Sequence, residues 1–355
     1  MKEEIIVFHP DINKHPTNNE YTKKMYELVS SIYKVRSLEW FATHILCGNV
    51  KGIYLNWYEN TVGPQNTLIQ QIQYALKYLL IKFAKIRGIK VVYVVHNKTP
   101  HNISKSSDIY IKAAKPFIRK ALLLSDKIVE LSRHTEQYLV NEYQLDSIAN
   151  KISLVPHGTY TKYESVILNV REKYKIKNNE FVFCFVGKMD KYKNVDIIIK
   201  AFYEADINAR LLLIGKIDND YKKQVTELIV DNRVICDFSF VSDEDMSAIM
   251  QAVNVIVLPY SNTSMNSGIM INAFSNGVTV VGTNIEMLMD YPENLVYGYY
   301  HSEENHVVNL RQRMKDAYQD YKNGNFEGKG AILEDIVNKD NNWGKVKHSL
   351  LKVFR

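Results

Sequence analysis

Short apolar runs recur along the 355 residues, with longer mixed stretches between them. In the first half they fall at 5–8, 52–56, 89–95, 127–131 and 152–155; in the second, at 181–186, 210–214, 234–238, 255–258 and 278–281. Most are unbroken Val, Ile, Leu and Phe rather than alternating apolar and polar, as expected of strands covered on both faces. Strand-like runs separated by helix-compatible stretches predict parallel sheets flanked by helices. The pattern therefore predicts an α/β chain of two doubly wound, Rossmann-like units. The expected domains are 1–163, 164–335 and a closing helix within 336–355 that packs back toward the first domain. Trp343, Val346, Leu350 and Val353 supply one face of that helix.

With 46% hydrophobic and 24% charged residues, the composition excludes disorder, collagen-like repeats and a small disulfide scaffold. Cys47, Cys184 and Cys236 are too few and too scattered for a disulfide framework or a zinc site, and suit a reducing cytoplasm. Residues 1–4 lead straight into the first apolar run, so no signal peptide is expected, and no run approaches the ~18 residues that span a bilayer. The expected location is cytoplasmic, or peripheral on the inner face of the membrane. The net charge of +6 is uneven, +9 over residues 1–163 and −3 over 164–355. Such a bias suits nucleic acid, an anionic membrane surface or a phosphorylated ligand; without a recognisable reading motif, nucleic acid is not expected as a partner. Ile72, Leu76, Leu79, Leu80 and Phe83 form an apolar stripe with Lys77, Lys82, Lys85, Arg87 and Lys90 around it. It reads as a core helix with a solvated basic face, or as attachment to an anionic membrane surface.

In open α/β sheets, ligands bind beyond the carboxyl ends of the strands, where helix N-termini present free N–H groups. The run 181–186 exits into Gly187-Lys188-Met189-Asp190-Lys191-Tyr192-Lys193. Gly187 permits a tight turn, and Lys188 and Lys193 place two cations suited to a diphosphate, or simply a solvated basic loop. No Walker or G-x-G-x-x-G pattern is present. The run 255–258 exits into small polar residues that open a helix at 269–276, leaving the amides of Ser267, Gly268 and Ile269 for phosphate oxygens or for an ordinary cap. In the first half, 89–95 exits into a loop carrying His96 and His101, candidate proton-transfer groups. His9 follows the first strand, Trp57 and Glu59 follow the second as an aromatic wall and a carboxylate, and His157 follows 152–155. Asp218-Asn219-Asp220 suits helix capping and Asp243-Glu244-Asp245 a first turn, so neither is assigned a metal.

The segments 187–193, 211–215 and 259–282 resemble the donor-binding half of GT-B glycosyltransferases of the glycosyltransferase family 4 type, in a branch of bacterial polysaccharide assembly. The resemblance implies two Rossmann-like domains facing a cleft. It also implies transfer of a sugar, a hexose by expectation, from a UDP- or GDP-sugar to a glycan or polyprenyl-linked acceptor, with retention of configuration and without a metal or other cofactor. Lys188 stands where that family usually has Arg. Ser264 and Asn272 occupy the positions of its paired glutamates, the second of which usually meets the donor ribose. The resemblance further implies Phe240 and Val241 at the nucleobase and His96 near the transferred sugar; it leaves Glu286 as a surface residue or a sugar contact. If transfer inverts instead, His96 or His101 supplies the base. The alternatives are a nucleotide-sugar 2-epimerase of the same architecture and a catalytically silent sugar-nucleotide or glycan-binding subunit.

Overall fold

The computed structural model describes residues 4–12, 20–44, 49–63, 66–100, 103, 105–163, 170–261, 264–300 and 303–354. The first sheet contains β1 (Ile5–His9), β2 (Lys34–Arg36), β3 (Val50–Asn56), β4 (Lys90–Val94), β5 (Lys127–Glu130) and β6 (Ile152–Leu154), in the order β2-β1-β3-β4-β5-β6. The second contains β7 (Phe181–Val186), β8 (Ala209–Ile214), β9 (Val234–Asp237), β10 (Val255–Leu258), β11 (Thr279–Thr283) and β12 (Tyr297–Tyr299), in the order β12-β11-β10-β7-β8-β9. Neighbouring strands pair in parallel, and helices connect most of them, as the unbroken apolar runs require. β2 and β12 do not announce themselves as apolar runs. Each is three residues long, at a sheet edge, with Lys-Val-Arg in one and Tyr-Gly-Tyr in the other.

The chain divides into two compact units. The first comprises Met1–His157, Thr263–Asn266 and Trp343–Arg355, and the second Gly158–Asn262 and Ser267–Asn342. The first unit thus ends at 157 rather than 163, and the segment grouped with it at the other end starts at 343 rather than 336. In the first unit, Val7, Ile53, Leu55, Val91 and Tyr93 of one sheet face pack with Tyr74, Ile81 and Ala84 of the helix Thr67–Ile86 and with Phe117 of Lys115–Leu124. Toward the other face, Phe8 stacks on Tyr54 at 5.5 Å, and Phe354 approaches Tyr33 and Tyr54 at 5.7 and 5.9 Å. A Cβ at Gly52 would be crowded there, 3.1 Å from the Lys90 carbonyl oxygen and 3.3 Å from the Phe354 ring. In the helix Trp343–Phe354, Val346, Leu350, Val353 and Phe354 are buried and Trp343 is half-buried.

The second unit packs Phe183, Phe185, Leu211, Leu213, Val255 and Val257 with Ile198, Ile199 and Phe202 of the helix Val195–Ala205 and with Leu310 and Met314 of His306–Lys322. Asp218 occupies the N-cap position of Asn219–Glu227, yet its carboxylate makes no capping bond. Ser242 caps Asp243–Ala252, with the three acids in the first turn. The stripe on Thr67–Ile86 read as a core face is not one. Ile72, Leu76 and Leu79 are exposed, Leu80 and Phe83 are half-buried, and the buried row is Gln70, Tyr74, Ile81 and Ala84.

Candidate active site

Strand order selects the loops that matter. In the second sheet, β8 and β9 lie to one side of β7 while β10, β11 and β12 lie to the other, so the order reverses between β7 and β10. Loops diverge at such a switch point and leave room for a ligand. In the first sheet the reversal lies between β1 and β3.

Beyond β7, Gly187 adopts φ +117 and its N–H donates to the Ile214 carbonyl at 2.9 Å. Gly215, at φ +141, faces it so closely that a Cβ would lie 2.0 Å from the Gly187 oxygen. The next residues form a cation-rich turn, Lys191–Lys193, ended by Asn194 in the left-handed region. Asn194 Nδ2 donates to the Pro259 carbonyl at 2.8 Å, and the Ser261 N–H donates to the Tyr192 carbonyl at 3.0 Å, so the loops beyond β7 and β10 are tied together.

The two lysines differ in environment. Lys188 is exposed and pairs with Asp190 at 2.7 Å, and that contact raises its pKa. Lys193 lies over the rings of Phe185 and Tyr192 and donates to the Lys188 carbonyl at 2.7 Å. Burial lowers its pKa to about 8; Asp190 pulls the other way and Lys188 adds to the depression. Among the described residues no carboxylate lies within ion-pair distance of it. A Cβ built on Gly187 would sit 4.0 Å from Lys193 Nζ and 3.7 Å from Ile269 Cδ1, which places the ammonium beside the start of the helix Gly268–Ser275.

Ser267 caps that helix, its Oγ accepting from the Met270 N–H at 3.2 Å and meeting the Tyr260 hydroxyl at 3.1 Å. The Ser267 N–H, expected to be free, points to Met287 Sδ at 3.5 Å. No hydrogen bond from the Gly268 or Ile269 N–H to a described residue is present, as at the first turn of any helix. Asn272 is buried, and its Oδ1 accepts from Asn276 Nδ2 at 2.8 Å, so one of the two lone pairs expected to meet a ribose is already engaged. Phe240 is 55% exposed beyond β9, which excludes a core role; Lys216 Nζ lies 5.2 Å from its ring centroid, and Val241 beside it is half-buried. Glu286, which read most simply as a surface residue, is buried immediately before Met287.

In the first unit, Asn56 at the end of β3 donates through Nδ2 to the His9 carbonyl at 2.9 Å and lies through Oδ1 3.0 Å from His96 Nε2. With the Asn56 amide so oriented, the proton on His96 is at Nε2. Trp57, at φ +46, stacks on His96 with centroids 3.9 Å apart, and His157 stacks on Tyr21 at 4.4 Å. Tyr21 also meets His96 edge-on at 5.9 Å. Burial lowers the His9 pKa to about 4, Lys77 adding to the effect and Glu39 opposing it. His9, Trp57, His96 and His157 therefore share the carboxyl end of this sheet, whereas His101 lies outside the described residues. Glu59 does not join them. It is buried, accepts from the Tyr93 hydroxyl at 2.9 Å and lines a small pocket with Tyr93, Asn97 and Tyr143. Ser264 also belongs to this unit, in an antiparallel bridge with Asn97; Asn266 Nδ2 donates to the His96 carbonyl at 2.9 Å.

Residues 166–326 match the family described as glycosyl transferases group 1. The chain superposes on the crystal structure of Anabaena Alr3699/HepE in complex with UDP and glucose, with a TM-score of 0.68 at 14% identity, over 99% of this chain and 98% of that one. Its fold is GT-B. A glycosyltransferase from Rickettsia africae gives a TM-score of 0.67 at 14% identity, over 100% of this chain and 98% of that one. WaaG, a glycosyltransferase involved in lipopolysaccharide biosynthesis, gives 0.62 at 14%, over 98% and 99%. No curated protein matches the chain. The sequence singled out the two loops, beyond β7 and β10, that Asn194 and Ser261 tie together. It did not reveal that Glu286 is buried, that Glu59 faces inward or that Ser264 groups with the first unit.

Proposed function

We propose that this chain is a glycosyltransferase that moves a sugar from a uridine or guanosine diphosphate sugar to a glycan or polyprenyl-linked glycan in surface polysaccharide assembly, retaining the anomeric configuration and needing no metal. The family 4 type of chemistry is part of this proposal. The observation that carries it is Lys193, a half-buried ammonium that no carboxylate among the described residues approaches within ion-pair distance, adjacent to Gly187 and Ile269. Desolvating a cation without an ion-pair partner is costly, and an anionic ligand supplies that partner. UDP and UDP-glucose complexes of the Anabaena protein and the lipopolysaccharide role of WaaG support the choice of substrates.

Lys188, Lys193 and the amides of Gly268 and Ile269 hold the diphosphate, Phe240 and Val241 border the base, and Asn272 meets the ribose. The bond from the anomeric carbon to the diphosphate oxygen breaks with its electrons leaving on the phosphate. The acceptor hydroxyl oxygen bonds to the same face, and its proton passes to the departing phosphate oxygen. The fixed cations and helix N–H groups stabilise the charge that develops there, the task a metal performs elsewhere. His9, Trp57, His96 and His157 contact the acceptor and the transferred sugar.

Thermal melts with UDP-, GDP-, ADP- and CMP-sugars test the donor class, since a ligand of the native state alone raises the melting temperature. One diphosphate sugar is expected to stabilise the protein both with and without EDTA. No stabilisation by any of them defeats the reading, and loss of turnover in EDTA defeats metal independence. The anomeric proton signal of the product decides retention.

A further inference from the structure

The helix Thr67–Ile86 has two apolar faces, and the fold covers only one. Gln70, Tyr74, Ile81 and Ala84 face inward, and on that side Lys77 turns its ammonium onto the carbonyl oxygens of Tyr58 and Asn60. On the opposite side, at the 3.6-residue period of a helix, Leu68, Ile72, Leu76, Leu79 and Ile86 are 65%, 53%, 62%, 57% and 74% exposed. Single exposed aliphatic residues are ordinary, whereas a continuous row over a helix ~30 Å long is the kind of patch that marks an interaction surface. Val62 extends it: it is 81% exposed, and its carbonyl is held to the helix by Gln73 Nε2 at 2.8 Å.

We propose that this face docks on an anionic lipid bilayer. Charge argues for that occupant. Between Glu59 and Asp108 the chain has no acidic residue and seven Lys+Arg. Exposed Lys82 flanks the row on one side and Arg87 closes its end, while Lys85 is already paired with Asp126. An interfacial helix needs an apolar face that sinks ~5–10 Å into the headgroup boundary and flanking cations that meet anionic headgroups. A second copy of this chain would oppose the same unbalanced positive flanks across a symmetric contact. The inference goes beyond the choice of donor and acceptor and stands even if the proposed reaction is revised.

Co-sedimentation of the full chain with phosphatidylcholine vesicles, with and without phosphatidylglycerol, tests it. Wild-type protein is expected to partition at least tenfold more strongly onto the anionic vesicles. Leu76→Asp/Leu79→Asp is expected to reduce that binding by at least about tenfold. Lys82→Glu/Arg87→Glu is expected to lower it by roughly fivefold or more per residue. Both pairs lie on exposed positions, so wild-type melting temperatures are expected of both variants. Equal binding to the two vesicle types, or anionic binding unchanged in either variant, overturns the proposal. So does a dimer seen by light scattering that the leucine variant dissolves while vesicle binding persists, which assigns the face to a second copy.

Discussion

Replacing Lys193 by alanine removes the ammonium that burial destabilises. In the free protein this group titrates near 8 instead of 10.5. If a bound diphosphate restores the ordinary value, the protonated lysine is the binding form. Affinity for UDP is then level below pH 8 and falls as pH rises, by nearly tenfold per unit, toward a total of roughly two orders of magnitude by pH 10.5. At pH 7 the lost charge-assisted hydrogen bonds weaken UDP by about 10- to 100-fold, since each is worth ~1.5–3 kcal/mol. Turnover drops by about 10²–10³, as expected when one stabiliser of a developing oxyanion is removed. Stability moves the other way. The folded pKa lies below the unfolded one, so between pH 8 and 10.5 the unfolded chain holds more protons and wild-type stability rises with pH through that window. Below pH 8 the penalty for burying the charge is fully present, so Lys193→Ala should melt no lower than wild type at pH 7. Isothermal titration of UDP at pH 7, 8 and 9, with melting curves of both proteins, measures all of this. Wild-type affinity in the variant, or the same pH slope in both proteins, refutes the reasoning.

Gly215→Ala forces a Cβ to 2.0 Å from the Gly187 oxygen at φ +141, and should cost about 3 kcal/mol or more in urea denaturation. His9, held at about 4 by burial, stays neutral when folded while the unfolded chain takes up its proton below 6.5. Stability should therefore fall as pH drops from 6.5 to 4, by up to ~2 kcal/mol, and His9→Gln should flatten that stretch of the denaturation profile. Glu59 has its pKa raised, burial outweighing its own backbone N–H, the Tyr93 hydroxyl and Lys77; its charge therefore costs stability as pH rises above 4.5. Glu59→Gln keeps an acceptor for Tyr93 and should raise stability at pH 7 by about 1 kcal/mol in the same assay.

The strands at Phe181–Val186 and Val255–Leu258 were legible to the residue, because four to six consecutive buried side chains leave no other period to read. The tight turn at Gly187 was legible for a related reason, since a glycine straight after a buried strand marks a sharp change of direction. The face of Thr67–Ile86 was not. Two rows on that helix keep the same spacing, and the one the fold buries contains Gln70 and is flanked by Lys77, so hydropathy favoured the wrong side. The grouping of Ser264 with the first unit was not legible either, because its pairing with Asn97 is a contact across 167 positions that no local pattern encodes. Glu286 read as a surface residue because charged residues usually are, and Glu59 as a carboxylate offered at a strand exit; only the packing around each shows that both are buried.

The helix Trp343–Phe354 completes the unit whose first strand begins at Ile5. During translation, Phe8, Tyr33 and Tyr54 must therefore wait until Phe354 has been made before it arrives to shield them. A nascent first unit stays open on that side, exposed to chaperones and to self-association, until the helix Trp343–Phe354 has left the ribosome. Deleting the helix Trp343–Phe354 should thus damage the unit that holds Ile5 more than the one that holds Phe181.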